Sequence, residues 1–122
     1  MSLALVIDDN RQTTEALIKL LNLLDIPARG ALSPSAAMAI LNAMIPRVVF
    51  LDINMPGVDG FEILGYLKRD PRTASVPVIV ITSDDQPETA RRASDEGADA
   101  LVLKPIMIDV LEEALKKIGM LA

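Results

Sequence analysis

The sequence contains neither cysteine nor histidine. The first absence excludes a disulfide framework and a thiolate metal site. The second removes the usual acid/base group of neutral pH and any phosphohistidine on this chain. Tryptophan is also missing, and aromatics make up only 2% of residues although 51% are apolar. The core must therefore be built from Leu, Ile, Val, Ala and Met, a composition that suits parallel strands covered by helices. There is no basic excess: the formal charge of -5 argues against a nucleic-acid surface, which needs a basic stripe. No uninterrupted apolar run approaches the roughly 20 residues of a membrane span, so no membrane association is expected. Met1-Ser2-Leu3 carries no basic residue ahead of Asp8 and Asp9, and a signal peptide is not expected either. These features describe a cytoplasmic protein with one domain over residues 1–122, since a chain of this size hides roughly two-thirds of its unfolded surface.

What is present is a repeated pattern of apolar run, polar tip and amphipathic segment. Leu3–Ile7 reads as a buried strand ending at Asp8-Asp9. Asn10 can cap the next segment, in which Leu17, Leu20, Leu21 and Leu24 mark one helical face until Pro27. Ala28–Leu32 is a weaker strand; Ser33-Pro34 then supplies an N-cap with Pro at N1, followed by the stripe Ala37, Ile40, Leu41, Met44. Val48–Leu51 is the strongest strand and stops abruptly on Asp52, with a Pro56-Gly57 breaker after it. Asp59 with Glu62 three residues on resembles a capping box opening a helix to about Arg69, with Phe61, Leu64 and Leu67 inward. Asp70–Val76 is a polar loop, Pro77 introduces the strand Val78–Ile81, and that strand ends in Thr82-Ser83. Asp85 is expected to cap a helix reaching Glu96, closed by Gly97 in the left-handed conformation. Leu101–Leu103 is the last strand, ending at Lys104-Pro105, and a helix over Ile108–Ile118 carries the stripe Ile108, Leu111, Leu115, Ile118. Five strand–helix pairs in alternation call for a parallel sheet with helices on both faces.

In such a sheet every strand enters from the same side, so Asp8, Asp9, Asp52, Thr82 and Lys104 emerge together at the carboxyl edge. Alone, Asp52 would equally fit a solvated acid opening a turn. Three carboxylates in one crevice repel, and a hard divalent cation together with the lysine ammonium neutralises them. Magnesium fits, because it takes one or two carboxylates and keeps waters for a phosphoryl ligand; calcium wants more protein oxygens than are available. An Asp beside magnesium, a hydroxyl and an ammonium is set for phosphoryl transfer onto the carboxylate. With no histidine and no second acid two residues past Asp52, nothing obvious activates a water afterwards, and the acyl phosphate is expected to persist as a signal.

Across essentially its whole length the sequence resembles the receiver domain of two-component response regulators. The residues that carry the resemblance are Asp8-Asp9, Leu51-Asp52-Ile53-Asn54-Met55-Pro56-Gly57-Val58-Asp59-Gly60, Thr82-Ser83 and Lys104-Pro105. The resemblance implies a flavodoxin-like (βα)5 fold with sheet order 2-1-3-4-5. It implies that Asp52 accepts phosphate from a histidine kinase or phosphotransfer protein. Magnesium would be held by Asp9, Asp52 and the backbone carbonyl of Asn54, with Asp8 assisting through water. By the same comparison Thr82 and Lys104 reorganise around the phosphoryl group and the Lys104-Pro105 bond is cis. An output partner, or a second copy of the chain in a homodimer, would use the face of the fourth helix, fifth strand and fifth helix.

Two positions depart from the family pattern. Leu101 stands where the family usually has the Tyr or Phe that reports phosphorylation, and Met107 offers no side-chain oxygen to cap the last helix. Three alternatives accompany the signalling reading. A haloacid-dehalogenase-like phosphatase would also use an Asp nucleophile, Mg, Thr and Lys, but wants an acid where Asn54 stands, and a cap insertion. A flavodoxin-like cofactor binder would want Ser, Thr and Gly where Asp8-Asp9-Asn10 would repel a phosphate. A phosphorylation-independent docking module is left open by Leu101. Only Gly119–Ala122 follow the last helix, which suggests either a stand-alone receiver or a fragment of a longer regulator or hybrid kinase.

Overall fold

A computed structural model of the chain describes residues 3–122. Strands and helices alternate in the order β1 (Ala4–Ile7), α1 (Arg11–Leu23), β2 (Ala28–Ala31), α2 (Pro34–Ala43), β3 (Val48–Asp52), α3 (Gly60–Arg69), β4 (Val78–Thr82), α4 (Pro87–Asp95), β5 (Ala100–Leu103) and α5 (Ile108–Lys117). The strands form one parallel sheet ordered β2-β1-β3-β4-β5, as the resemblance implied. The three central strands are buried on both faces, which is why they read as continuous apolar runs rather than as alternating ones.

Strand alternation divides the core in two. Leu5, Ile7, Val49, Leu51, Val78 and Val80 face the stripes of α2 and α3 and Ala93 of α4. Ala4, Val6, Val48, Phe50, Ile79, Ile81 and Val102 face Leu17 and Leu21 of α1 and Leu111 and Leu115 of α5. Phe50 is the one aromatic that is fully buried among the described residues, so packing rests on aliphatic side chains. Each of these leucines contributes about 1.5–3 kcal/mol of burial free energy. No helix among the described residues is long and apolar enough to cross a membrane.

The helix starts show where local sequence rules held and where they were overridden. Asn10 caps α1 by accepting from Thr13 N at 2.9 Å, and Ser33 caps α2 by accepting from Ala36 N at 3.1 Å. Asp59 caps α3, but its carboxylate takes Phe61 N at 2.9 Å. Glu62 is exposed and makes no side-chain hydrogen bond among the described residues, so the reciprocal half of the capping box is absent. The expected cap at Asp85 is displaced. Pro87 occupies N1, which makes Gln86 the N-cap, and Gln86 supplies no side-chain bond. Asp84 anchors the helix start in another way, its Oδ1 accepting from Gln86 N, just ahead of the helix, at 2.9 Å and its Oδ2 from the Thr89 hydroxyl at 2.5 Å. Gly97 closes α4 with φ of 104°, as expected, and Met107 leaves α5 without a side-chain cap.

The inward stripes are corrected at one position. Ile108 lies at the solvent-facing start of α5 with 36% of its surface exposed, because the helix dips into the core only from Leu111 onward. Phe61, Leu20, Leu24, Met44 and Ile118 are half-buried at the margins of the two core layers. The ring of Phe61 is covered from outside by the guanidinium of Arg92, 3.9 Å from its centroid.

Candidate functional site

Register places the polar tips side by side. Ile7 pairs with Leu51, Asp52 with Ile81, and Thr82 with Leu103, so the next residue of β1 and of β5 brings Asp8 and Lys104 to the same edge. Alternation then sorts them: Asp8, Asp52 and Lys104 continue the parity of Val6, Phe50 and Val102 and share the α1/α5 side of the sheet. Thr82 continues the parity of Val78 and Val80 and approaches from the other side.

The result is a buried charge cluster. Asp8 and Thr82 are fully buried and Asp52 is 2% exposed, while Asp9 stands in solvent. Lys104 Nζ lies 3.0 Å from Asp8 Oδ2 and 3.4 Å from Asp52 Oδ2. Asp52 Oδ1 accepts the Asn54 amide at 2.9 Å, and Asp8 Oδ1 accepts the Asn10 amide at 2.9 Å. Asp8 Oδ2 is buried, and the Lys104 ammonium is its close neighbour, with no other donor within hydrogen-bond distance among the described residues. Burial pushes the Asp52 carboxyl above its usual range; the Asn54 amide opposes this, Asp8 reinforces it, and Lys104 again opposes it, without cancelling it. Burial by itself would lower the Lys104 ammonium, but contact with Asp8 and the charges of Asp52 and Asp8 outweigh it and raise the lysine above its ordinary value.

One carboxylate oxygen from each of Asp8, Asp9 and Asp52 falls within 4.8 Å of the others. Three acids facing one lysine form a set of hard oxygen atoms short of positive charge, which fits a small divalent cation. The Asn54 carbonyl accepts no hydrogen bond among the described residues.

Thr82 shows what the sequence reading missed. Its hydroxyl donates to the side-chain Oδ1 of Asn54, a residue expected to act through its main-chain carbonyl alone, and accepts the Asp84 amide at 3.0 Å. A Ser/Thr two residues before an Asp carries the mark of a local side-chain-to-amide turn, which could have pointed to Asp84; nothing local points to Asn54. Gly60 is also more than a flexible link. A Cβ there would meet Ile53 Cα at 2.4 Å, so the loop from Asp52 can fold back beneath the site only with glycine at that position. Gly57, at φ of 72°, makes the loop's turn. Lys104-Pro105 is cis, as expected.

A parallel sheet in this order, flanked by five helices, defines the class: a flavodoxin-like (βα)5 fold. The family model of the response regulator receiver domain matches residues 4–116, and the chain belongs to that family. Its sequence is 36% identical over 118 residues to the positive alginate biosynthesis regulatory protein of Pseudomonas aeruginosa, covering 93% of this chain and 45% of that one. It is 32% identical over 102 residues to the response regulator PleD of Caulobacter vibrioides, covering 84% of this chain and 22% of that one. Among solved structures it superposes on the receiver domain of a DNA-binding response regulator from Colwellia psychrerythraea with a TM-score of 0.87 at 30% identity, over 96% of this chain and 97% of that one. The chemotaxis protein CheY4 of Vibrio cholerae shares the fold, with a TM-score of 0.88 at 22% identity, over 97% and 98%. The chain spans less than half the length of the relatives PleD and the alginate regulator.

Proposed function

We propose that the domain is a phosphorylation switch in which Asp52 is the phosphoacceptor. The observation that carries this is the pairing of one half-buried lysine with two buried aspartates at 3.0 and 3.4 Å, beside a buried threonine hydroxyl. A carboxylate oxygen of Asp52 forms the new bond to phosphorus while the donor's phosphorus–nitrogen bond breaks and the imidazole departs with the electron pair. Because the sequence has no histidine, that imidazole belongs to a partner histidine kinase or phosphotransfer protein. Asp9, Asp52 and the Asn54 carbonyl would hold magnesium, with Asp8 behind them; the ion supplies charge neutralisation for the transferring phosphoryl oxygens. Lys104 stays charged throughout and meets another of those oxygens. The Thr82 hydroxyl releases Asn54 to donate to a third.

Asn54 supports a switch rather than a phosphatase. It supplies an amide side chain, not an acid, two residues beyond the nucleophile, and that side chain is engaged with Thr82. The test is intact mass after exposure to acetyl phosphate or phosphoramidate with magnesium. Wild type is expected to gain one phosphoryl group and Asp52→Asn none; no gain with any donor or kinase would leave a docking module as the better reading. Steady-state hydrolysis of phosphomonoesters would overturn the proposal in favour of an enzyme.

A further inference from the structure

The usual aromatic reporter position holds Leu101, which is half-buried against the α2–α3–α4 core layer and has neither a ring to rotate nor a hydroxyl to exchange partners. A different connection leads away from the site. The Thr82 hydroxyl accepts the Asp84 amide at 3.0 Å, and the Asp84 carboxylate binds both Gln86 N at 2.9 Å and the Thr89 hydroxyl at 2.5 Å. Thr89 sits in the first turn of α4. The chain Thr82–Asp84–Thr89 therefore runs without interruption from the sheet edge into a helix.

That helix is lightly held. Ala93 is its one buried residue, and its N-cap Gln86 contributes no side-chain bond. At its side Arg92 lies over Phe61 and pairs with Glu96, contacts on an exposed surface that are individually weak. Asp84 is thus the principal polar tether of the α4 N-terminus. The half-buried Thr89 bond and then the Gln86 amide hold its carboxyl below the usual range, as expected for a carboxylate that works as an acceptor.

Resting on the phosphoacceptor reading of Asp52, we propose that Asp84 and Thr89 are the positioning residues that carry the state of Thr82 into α4, in place of an aromatic in β5. The hydroxyl of Thr82 has one hydrogen, now given to Asn54. Turning it toward a phosphoryl group on Asp52 moves the oxygen that accepts the Asp84 amide. Asp84 must then shift or lose that bond, and the α4 N-terminus follows because its tether is the same residue's carboxylate. The loop and helix form one element with two arrangements, and the phosphoryl group favours one of them.

The experiment records backbone amide shifts of the full chain with magnesium, before and during incubation with excess acetyl phosphate, with intact mass giving the phosphorylated fraction. In wild type the α4 amides are expected to move together with those of Ser83 and Asp84. At equal phosphorylated fraction, Thr89→Val should lose at least about half of the α4 displacement while the Ser83 displacement persists, and Thr89→Ser should restore it. Leu101→Ala should leave the α4 displacement unchanged. Full phosphorylation of Thr89→Val with a wild-type α4 response overturns the relay alone, as does loss of the response in Leu101→Ala. Failure of wild type to take up a phosphoryl group overturns the relay and the phosphoacceptor reading together, and the mass measurement separates the two failures.

Discussion

The molecule holds a lysine–aspartate contact at each edge of its sheet, and the two are built on opposite principles. At the amino edge, Lys68 Nζ donates to Val76 O at 2.9 Å and to Asp99 Oδ2 at 3.1 Å, and that same carboxylate oxygen accepts Val78 N at 2.8 Å. Opposite charges meet one to one, the backbone ends of β4 are satisfied, and both side chains reach solvent. At the carboxyl edge the lysine, Lys104, is as half-buried as Lys68, but its partners Asp8 and Asp52 are both buried and the exposed Asp9 adds a third acid. The amino-edge clasp is complete and therefore fastens the strand to its helix. The carboxyl-edge cluster is short of positive charge, and a small divalent cation is the kind of ligand that could offset that deficit.

The sharpest way to break this contrast is Lys104→Met. Without magnesium it leaves two buried aspartates uncompensated and should destabilise the fold by about 3 kcal/mol, read from urea midpoints. Excess magnesium should return most of that loss; equal destabilisation with and without the ion would mean that Lys104 only packs.

A smaller effect of opposite sign is expected from Asp52→Asn, which removes a desolvated charge and should stabilise the metal-free protein by about 1.5 kcal/mol near pH 7. The folded-state pKa of Asp52 is raised, so between the unfolded and folded values the native state binds the extra proton and stability falls as pH rises. The penalty is absent below the unfolded pKa and complete above the folded one. The advantage of Asp52→Asn over wild type should accordingly grow on raising the pH from acid and then level off. An advantage that shrinks with rising pH would contradict the burial argument.

Smallest is the control at the other edge. Lys68→Met should cost about 1 kcal/mol, by the same amount with or without magnesium, and leave phosphoryl uptake by intact mass unchanged. Magnesium dependence there would erase the distinction between the two edges.

Much of this was legible along the chain because it depends on local rules. Continuous apolar runs become buried parallel strands, and each ends where a charged or hydroxyl residue stops the run, so Asp8, Asp52, Thr82 and Lys104 could be assigned to strand tips before any contact was known. Gly97 and Ser33-Pro34 acted as their types suggest, since helix ends need a left-handed residue or a side-chain acceptor within a few positions. The same local reasoning went astray at α4, where Asp85 was expected to cap but Pro87 decided the helix start, leaving Asp84 as the tether. It also placed Ile108 inward by spacing, whereas the direction in which α5 meets the sheet decides where burial begins.

By itself, then, the sequence determined the alternating elements, the parallel sheet and the polar residues at its carboxyl edge, because periodicity and chain breakers act over a few residues. Only the tertiary structure decided which groups touch: that Lys104 lies between Asp8 and Asp52, that the Thr82 hydroxyl goes to Asn54, and that Asp84 joins Thr82 to Thr89. Those contacts depend on strand register, on which face alternation gives each side chain, and on rotamers chosen among neighbours distant in the chain, none of which is encoded in local spacing.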